Sequence, residues 1–288
     1  MTEKAHPKKD PKRWGTDITQ VAQAAFPDAR FPVKVDELAK LYSGQLDPTD
    51  PILEIRGDDL PQFEGGLYPI GKPRRGWCVL YNDRVKSTGR RRFTIAHEFG
   101  HWLMHRHLIP PGGISCDEKS VIQRAGGTDI EKEADTFAAY LLMPFDIFRQ
   151  RIPSTSKPTL TSLFETAEFF GVSPTAAILR WLEYTELRAI MIASRDGGML
   201  WAKSSDAAFK SGAFFRTKQE TQFVPESSMV GQQQFNERSF AGVGHPAGVW
   251  FEDEPAIEMT AYMELFETAI TVLILDRYAP KRWSMSNF

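Results

Sequence analysis

The sequence predicts an α+β fold: a small twisted sheet leading into one long helix, a helical hairpin after it, and a C-terminal mixed α/β unit. Three observations predict this. Short β-prone runs at Ile52–Ile55, Phe63–Ile70 and Trp77–Tyr81 are separated by clusters of Gly, Pro and Asp. Two later stretches, Phe93–His107 and Ile130–Leu142, read as helices, the second with apolar residues at three- and four-residue steps. From Arg188 onward the pattern returns to strands, around the turn signal Arg195-Asp196-Gly197-Gly198.

Composition bounds the function. With 288 residues, 42% hydrophobic and 25% charged, the chain can bury a sizeable core and form two or three units. The net charge of −2 and a pI near 6.3 give no basic footprint, so direct nucleic-acid binding is not expected. Cys78 and Cys116 are too few for a disulfide framework and lack the short spacing of a cysteine zinc site. No run approaches the roughly eighteen apolar residues of a membrane span, and the N-terminus lacks a signal-peptide core, so a cytoplasmic protein with no membrane partner is expected.

In chain order, residues 1–14 carry five Lys or Arg against two acids, with Pro7 and Pro11, and read as a flexible tail. A helix is expected from Asp17 toward Phe26, and another over Asp36–Leu41 with the aspartate as its cap. The three strand runs follow. One edge of such a sheet can hold an extended peptide by backbone pairing, and the Trp77–Tyr81 strand or its neighbour is nominated for it. Arg90-Arg91-Arg92 reads as a charge run just before the long helix, and Pro110–Thr128, rich in Gly, Pro, Ser and Asp, as a loop bordering the cleft. The second helix is ended by Pro144. These elements make a unit over 15–150.

Residues 151–187 read as a helix-turn-helix-like hairpin, with helices over Leu160–Phe170 and Thr175–Tyr184, a stop at Gly171 and a Ser173-Pro174 start. Arg180 is the only base in its second helix, so a structural hairpin is favoured over a DNA reader. The remainder, 188–288, contains the hairpin strands Ala189–Ser194 and Met199–Lys203 and a buried strand at Ala269–Leu275. His245 stands alone there and is read as structural.

The chemistry lies in His97-Glu98-x-x-His101. Residues four apart on a helix differ by about 40° around the axis, so both imidazoles can face one ion, with Glu98 beside it and free to act as a base. A catalytic zinc site needs a third protein donor. His107 has the six-residue spacing of metzincins, but Met104 stands where that pattern requires glycine. His105 follows too closely along the same rod and suits a supporting role. Glu131 is better placed. It lies about 50° from the centre of the apolar arc formed by Ala134, Phe137, Ala138, Leu141 and Leu142, whereas Glu133 lies about 110° away and is expected to point out. Asp135, one turn after Glu131, could fix a ligand histidine's tautomer. His105, His107, Tyr140 or an arginine could stabilise an oxyanion.

Arg92-Phe93-Thr94-Ile95-Ala96-His97-Glu98-Phe99-Gly100-His101, followed by Glu131-x-Glu133-Ala134-Asp135-x-Phe137-Ala138-Ala139-x-Leu141-Leu142-Met143-Pro144, resembles the ImmA/IrrE family of bacterial zinc metallopeptidases. The paired blocks cover residues from about 75 to 145. The resemblance implies a zincin-like domain with a gluzincin-like site, in which His97, His101 and Glu131 bind Zn2+ and Glu98 is the catalytic acid/base. Family members often carry asparagine at the position of Asp135. Known relatives cleave a repressor-type transcription factor in DNA-damage or mobile-element responses, so the partner implied is a protein substrate, a transcriptional repressor or antitoxin-like regulator. A sensory C-terminal module would fit the family. The rival reading is a metal-binding regulatory or DNA-associated module without hydrolysis.

Overall fold

The computed structural model describes residues 10–26, 30–109, 112, 114–117 and 129–277. The chain divides into two compact units, one of 1–147 with 168–173, the other of 148–167 with 174–288. Most of the expected hairpin falls in the second, although the last residues of its first helix belong to the first.

The first unit opens with α1 (Pro11–Ala25), which starts earlier than expected because Asp10 accepts from the Lys12 amide at 2.8 Å and Pro11 fills the first helical position. In α2 (Val35–Leu46), Asp36 lies in the first turn and Lys34 is the capping residue, so the aspartate faces the helix dipole without capping it. Strands β1 (Ile52–Asp58), β2 (Phe63–Ile70) and β3 (Gly76–Asn82) follow, then α3 (Thr88–His105), capped by Ser87. A short strand β4 (Ile114–Asp117) lies within the stretch expected to be loop, and the rest of Pro110–Thr128 lies almost wholly outside the described residues. Next come α4 (Asp129–Leu142) and α5 (Phe145–Arg151), the latter running into the second unit from Phe148.

The sheet order is β1-β3-β2-β4, with β1 parallel to β3 and the other pairs antiparallel. The Trp77–Tyr81 strand is therefore interior. Among the described residues the edges are its neighbour β1 and the unforeseen β4. One side of the sheet receives α3, which α2 and α4 also contact. Phe99, Trp102 and Phe137 are fully buried between these elements, with Phe99 and Phe137 edge-on at 5.4 Å. Helix α1 lies against α4 at Gly15, where a Cβ would come within 2.7 Å of the Tyr140 Cβ.

The arginine run is part of α3 and is not a solvated flank. Arg90 pairs with the buried Glu64, and Arg92 donates to the Val33 carbonyl at 2.8 Å. At the other end Arg106 binds Asp47 at 3.0 Å and lies over Trp102, whose Nε1 donates to the Asp50 carbonyl at 2.9 Å. The helix that carries the motif is thus pinned at both ends by charge-assisted contacts.

In the second unit α6 (Leu160–Phe170, of which 160–167 belong here) and α7 (Pro174–Leu182) precede β5 (Ala189–Arg195), β6 (Gly198–Ser204), α8 (Asp206–Lys210), α9 (Glu237–Ala241), β7 (Val243–His245), β8 (Ala256–Met263) and β9 (Thr268–Leu275). The strands form an antiparallel sheet in the order β6-β5-β9-β8-β7. The β5–β6 turn has positive φ at Asp196 (49°) and Gly197 (78°), as an Asp-Gly hairpin requires. On one face Ile190, Ile192, Leu273 and Leu275 pack with Val230 and Trp250. Within that core the Glu258 carboxylate accepts from the Met229 amide (3.0 Å), the Val230 amide (2.9 Å) and Trp250 Nε1 (3.0 Å). His245 lies 2.8 Å from the same carboxylate and so has a structural partner. Arg180 is buried against Glu183 at 2.6 Å, so the single base of α7 is turned inward.

Candidate metal centre

One helix supplies three of the residues. His97 and His101, one turn apart on α3, aim their Nε2 atoms at the same point and stand 2.9 Å from each other. Glu131 reaches that point from α4, with Oε2 3.2 Å from His97 Nε2 and Oε1 3.3 Å from His101 Nε2. The approach of α4 is set by packing. Gly100 leaves room for Ala134 and Phe137, and Glu131 lies one turn before Ala134 on the same face.

The three donors fit a metal ion. Around a four-coordinate ion with bonds of about 2.0–2.1 Å, neighbouring donors stand roughly 3.3 Å apart. The separations of 2.9, 3.2 and 3.3 Å match that triangle to within a few tenths of an ångström. His97, His101 and Glu131 are also the only cluster of metal-ligating side chains with this geometry among the described residues. His101 is fully buried and His97 nearly so, while the Glu131 side chain keeps 20% exposure, leaving an approach on its side.

Around the triangle, Asp135 Oδ1 lies 2.9 Å from His97 Nδ1, the contact expected to orient that imidazole. Glu98 is fully buried beside the histidines and faces Gly65 of β2, whose added Cβ would come 3.5 Å from Glu98 Oε1 and 2.3 Å from the Thr94 methyl. A strand glycine where another chain approaches closely is the signal that sequence reading passed over in Glu64-Gly65-Gly66.

Three expectations change. His107 is exposed and lies past the end of α3, away from the donors. Tyr140 is nine residues after Glu131, hence about 180° around α4. Its ring meets Phe145 at 5.0 Å and Lys12 at 5.7 Å on the α1 side, so it does not face the donor triangle. Glu133 does not point away. It reaches His105 Nε2 at 2.9 Å, because the last turn of α3 extends past the start of α4 and offers a buried imidazole there. His105 Nδ1 in turn lies 3.1 Å from His101 Nδ1.

The electrostatics follow from this packing. Burial disfavours charge on His97, yet hydrogen bonds to Asp135 and Glu131 and the nearby Glu98 outweigh it and raise its pKa from 6.5 to about 9. Burial lowers that of His101, with His97 adding repulsion against the Glu131 hydrogen bond. Burial likewise lowers that of His105, only partly offset by Glu133. Glu131 is desolvated, which opposes ionisation, but hydrogen bonds from His101 and His97 hold its carboxyl far below the ordinary range. The site is an acid-rich pocket that concentrates positive charge, as a cation site must.

No curated protein matches the chain. The family model described as Peptidase_M78, IrrE N-terminal-like domain, matches residues 55–182, from β1 to the end of α7. That span contains His97, Glu98, His101, Glu131 and Asp135, and the family implies a metallopeptidase-type hydrolase, in keeping with a donor set that could hold a metal ion. Over residues 55–182 the chain is therefore similar to the IrrE N-terminal-like domain of the Peptidase_M78 family.

Proposed function

We propose that this chain is a zinc-dependent endopeptidase that acts in the cytoplasm on a repressor-type regulatory protein. The observation that carries the hydrolytic reading is the donor triangle of His97, His101 and Glu131 with the buried Glu98 carboxylate at its side. Two imidazoles and one carboxylate suit zinc. When bound, zinc polarises the scissile carbonyl and lowers the pKa of a water toward about 7.

The side chains divide the remaining work. His97, held at Nδ1 by Asp135, and His101 present their Nε2 lone pairs, and Glu131 adds a carboxylate oxygen. Glu98 takes a proton from the attacking water as its oxygen bonds to the carbonyl carbon. The same carboxylic acid then gives that proton to the amine nitrogen as the C–N bond breaks. Burial of Glu98 beneath β2 keeps bulk water from competing for the proton.

The substrate class rests on the likeness to the ImmA/IrrE family. The test is Glu98→Gln, which keeps the shape and removes the base. Co-expressed with a panel of repressor proteins, the wild-type chain should yield fragments of one of them, whereas Glu98→Gln should retain zinc and yield none. If a repressor is inactivated equally by Glu98→Gln, the metal serves regulation and the hydrolytic reading is wrong.

A further inference from the structure

We propose that Glu133 and His105 form a two-step hydrogen-bond relay that fixes the tautomer and ring orientation of His101, and so sets the metal affinity of the centre. The inference rests on the metal-binding reading of His97, His101 and Glu131, and it gives a role to a carboxylate that helical geometry alone would turn to solvent.

Each proton in the chain is determined by the one before it. The Glu133 carboxylate can only accept, so His105 Nε2, 2.9 Å from Glu133 Oε2, carries a hydrogen and donates it. A neutral imidazole has one donor and one acceptor nitrogen, which leaves His105 Nδ1 bare. That atom lies 3.1 Å from His101 Nδ1, so it accepts and His101 Nδ1 carries the hydrogen. His101 Nε2 is then the bare nitrogen. It points at His97 Nε2 and Glu131, where a metal ion needs a lone pair. Had His105 the other tautomer, its Nδ1 hydrogen would confront that of His101, and Nε2 would face the carboxylate with a lone pair.

The two ligand histidines are thus oriented by different devices. His97 donates directly to Asp135, at 2.9 Å. His101 is fully buried, and its Nδ1 faces the His105 imidazole. The imidazole of His105, 3% exposed, is interposed and carries the influence of Glu133 inward. Partners of this kind change metal affinity by about 10–100-fold on removal. Glu133 keeps 23% side-chain exposure and lies at the first turns of α4, so its truncation spares the core.

The experiment compares wild type, Glu133→Ala, Glu133→Gln, His105→Phe and Glu131→Ala, using zinc with a competing chelator and, in the metal-free proteins, the ring 15N shifts of His101. Wild type should show a single His101 tautomer with hydrogen on Nδ1. Glu133→Ala should mix the tautomers and weaken zinc binding about 10–100-fold at unchanged thermal stability of the metal-free protein. Glu133→Gln, which keeps an acceptor oxygen, should recover most of both, and His105→Phe should behave as Glu133→Ala does. The relay is overturned if His101 carries its hydrogen on Nε2 in the wild type, or if Glu133→Ala leaves tautomer and affinity unchanged. Glu131→Ala separates the two readings: zinc affinity indifferent to that change removes the metal centre itself, whatever the Glu133 variants do.

Discussion

Gly100→Ala tests whether helix packing sets the geometry of the metal centre. In an ordinary helix this change gains about 1 kcal/mol. Here the added Cβ would come 2.9 Å from Phe137 Cδ1 and 3.3 Å from Ala134 Cα. Apolar carbons rest at roughly 3.5–4.0 Å, so the shortfall against the ring is close to 1 Å. Phe137 cannot swing aside, since it is fully buried and edge-on to Phe99. The helices must separate. Overpacking of this kind costs about 1–3 kcal/mol, which outweighs the helical gain. The expected result is a melting temperature lower by about 2–6 °C by calorimetry. Because Glu131 lies one turn before Ala134, zinc affinity should also fall by about tenfold or more in chelator competition. Gly44→Ala in α2 is the control. Nothing lies within 4 Å of its Cβ, and it should raise stability by up to about 1 kcal/mol. If Gly100→Ala behaves like Gly44→Ala in stability and binds zinc as the wild type does, the packing account is refuted.

Two further outcomes follow from the electrostatics. Metal-free protein should lose stability as pH rises from 6.5 to about 9, because the pKa of His97 is raised by folding. Its contribution is complete below 6.5 and gone above about 9, while the lowered values of His101 and His105 act only below 6.5. Denaturation at stepped pH reads this, and metal-free His97→Gln should be flat across that window. In the second unit, Glu258→Leu should destabilise by roughly 3–5 kcal/mol in urea, since the Met229 and Val230 amides and Trp250 Nε1 all lose their acceptor. A loss under 1 kcal/mol would mean that water takes its place.

Which residues face the centre was legible because helical period decides the face each one takes. His97, Glu98 and His101 share a face by their spacing, and Glu131 falls inside the apolar arc of α4. What the period could not give is where one helix ends relative to another. Glu133 was assigned to solvent from its angle on α4, yet the last turn of α3 overhangs it and presents His105. Tyr140 fails by the same rule that selects Glu131, and angular bookkeeping from Glu131 would have shown it. β4 was hidden because Ile114–Asp117 lies within a turn-rich stretch, and β8 because Glu258, a buried acid held by backbone amides, interrupts its apolar run. Sheet order is a long-range property. That left the edge assignment of the Trp77–Tyr81 strand without support from local pattern.

The most direct test of the account is the zinc content of the purified wild-type chain beside Glu131→Ala and His107→Ala after exhaustive dialysis. Near-stoichiometric zinc in wild type and His107→Ala, and its loss in Glu131→Ala, is the predicted result. Zinc retained in Glu131→Ala, or lost in His107→Ala, would contradict a centre built from two turns of α3 and the first turn of α4.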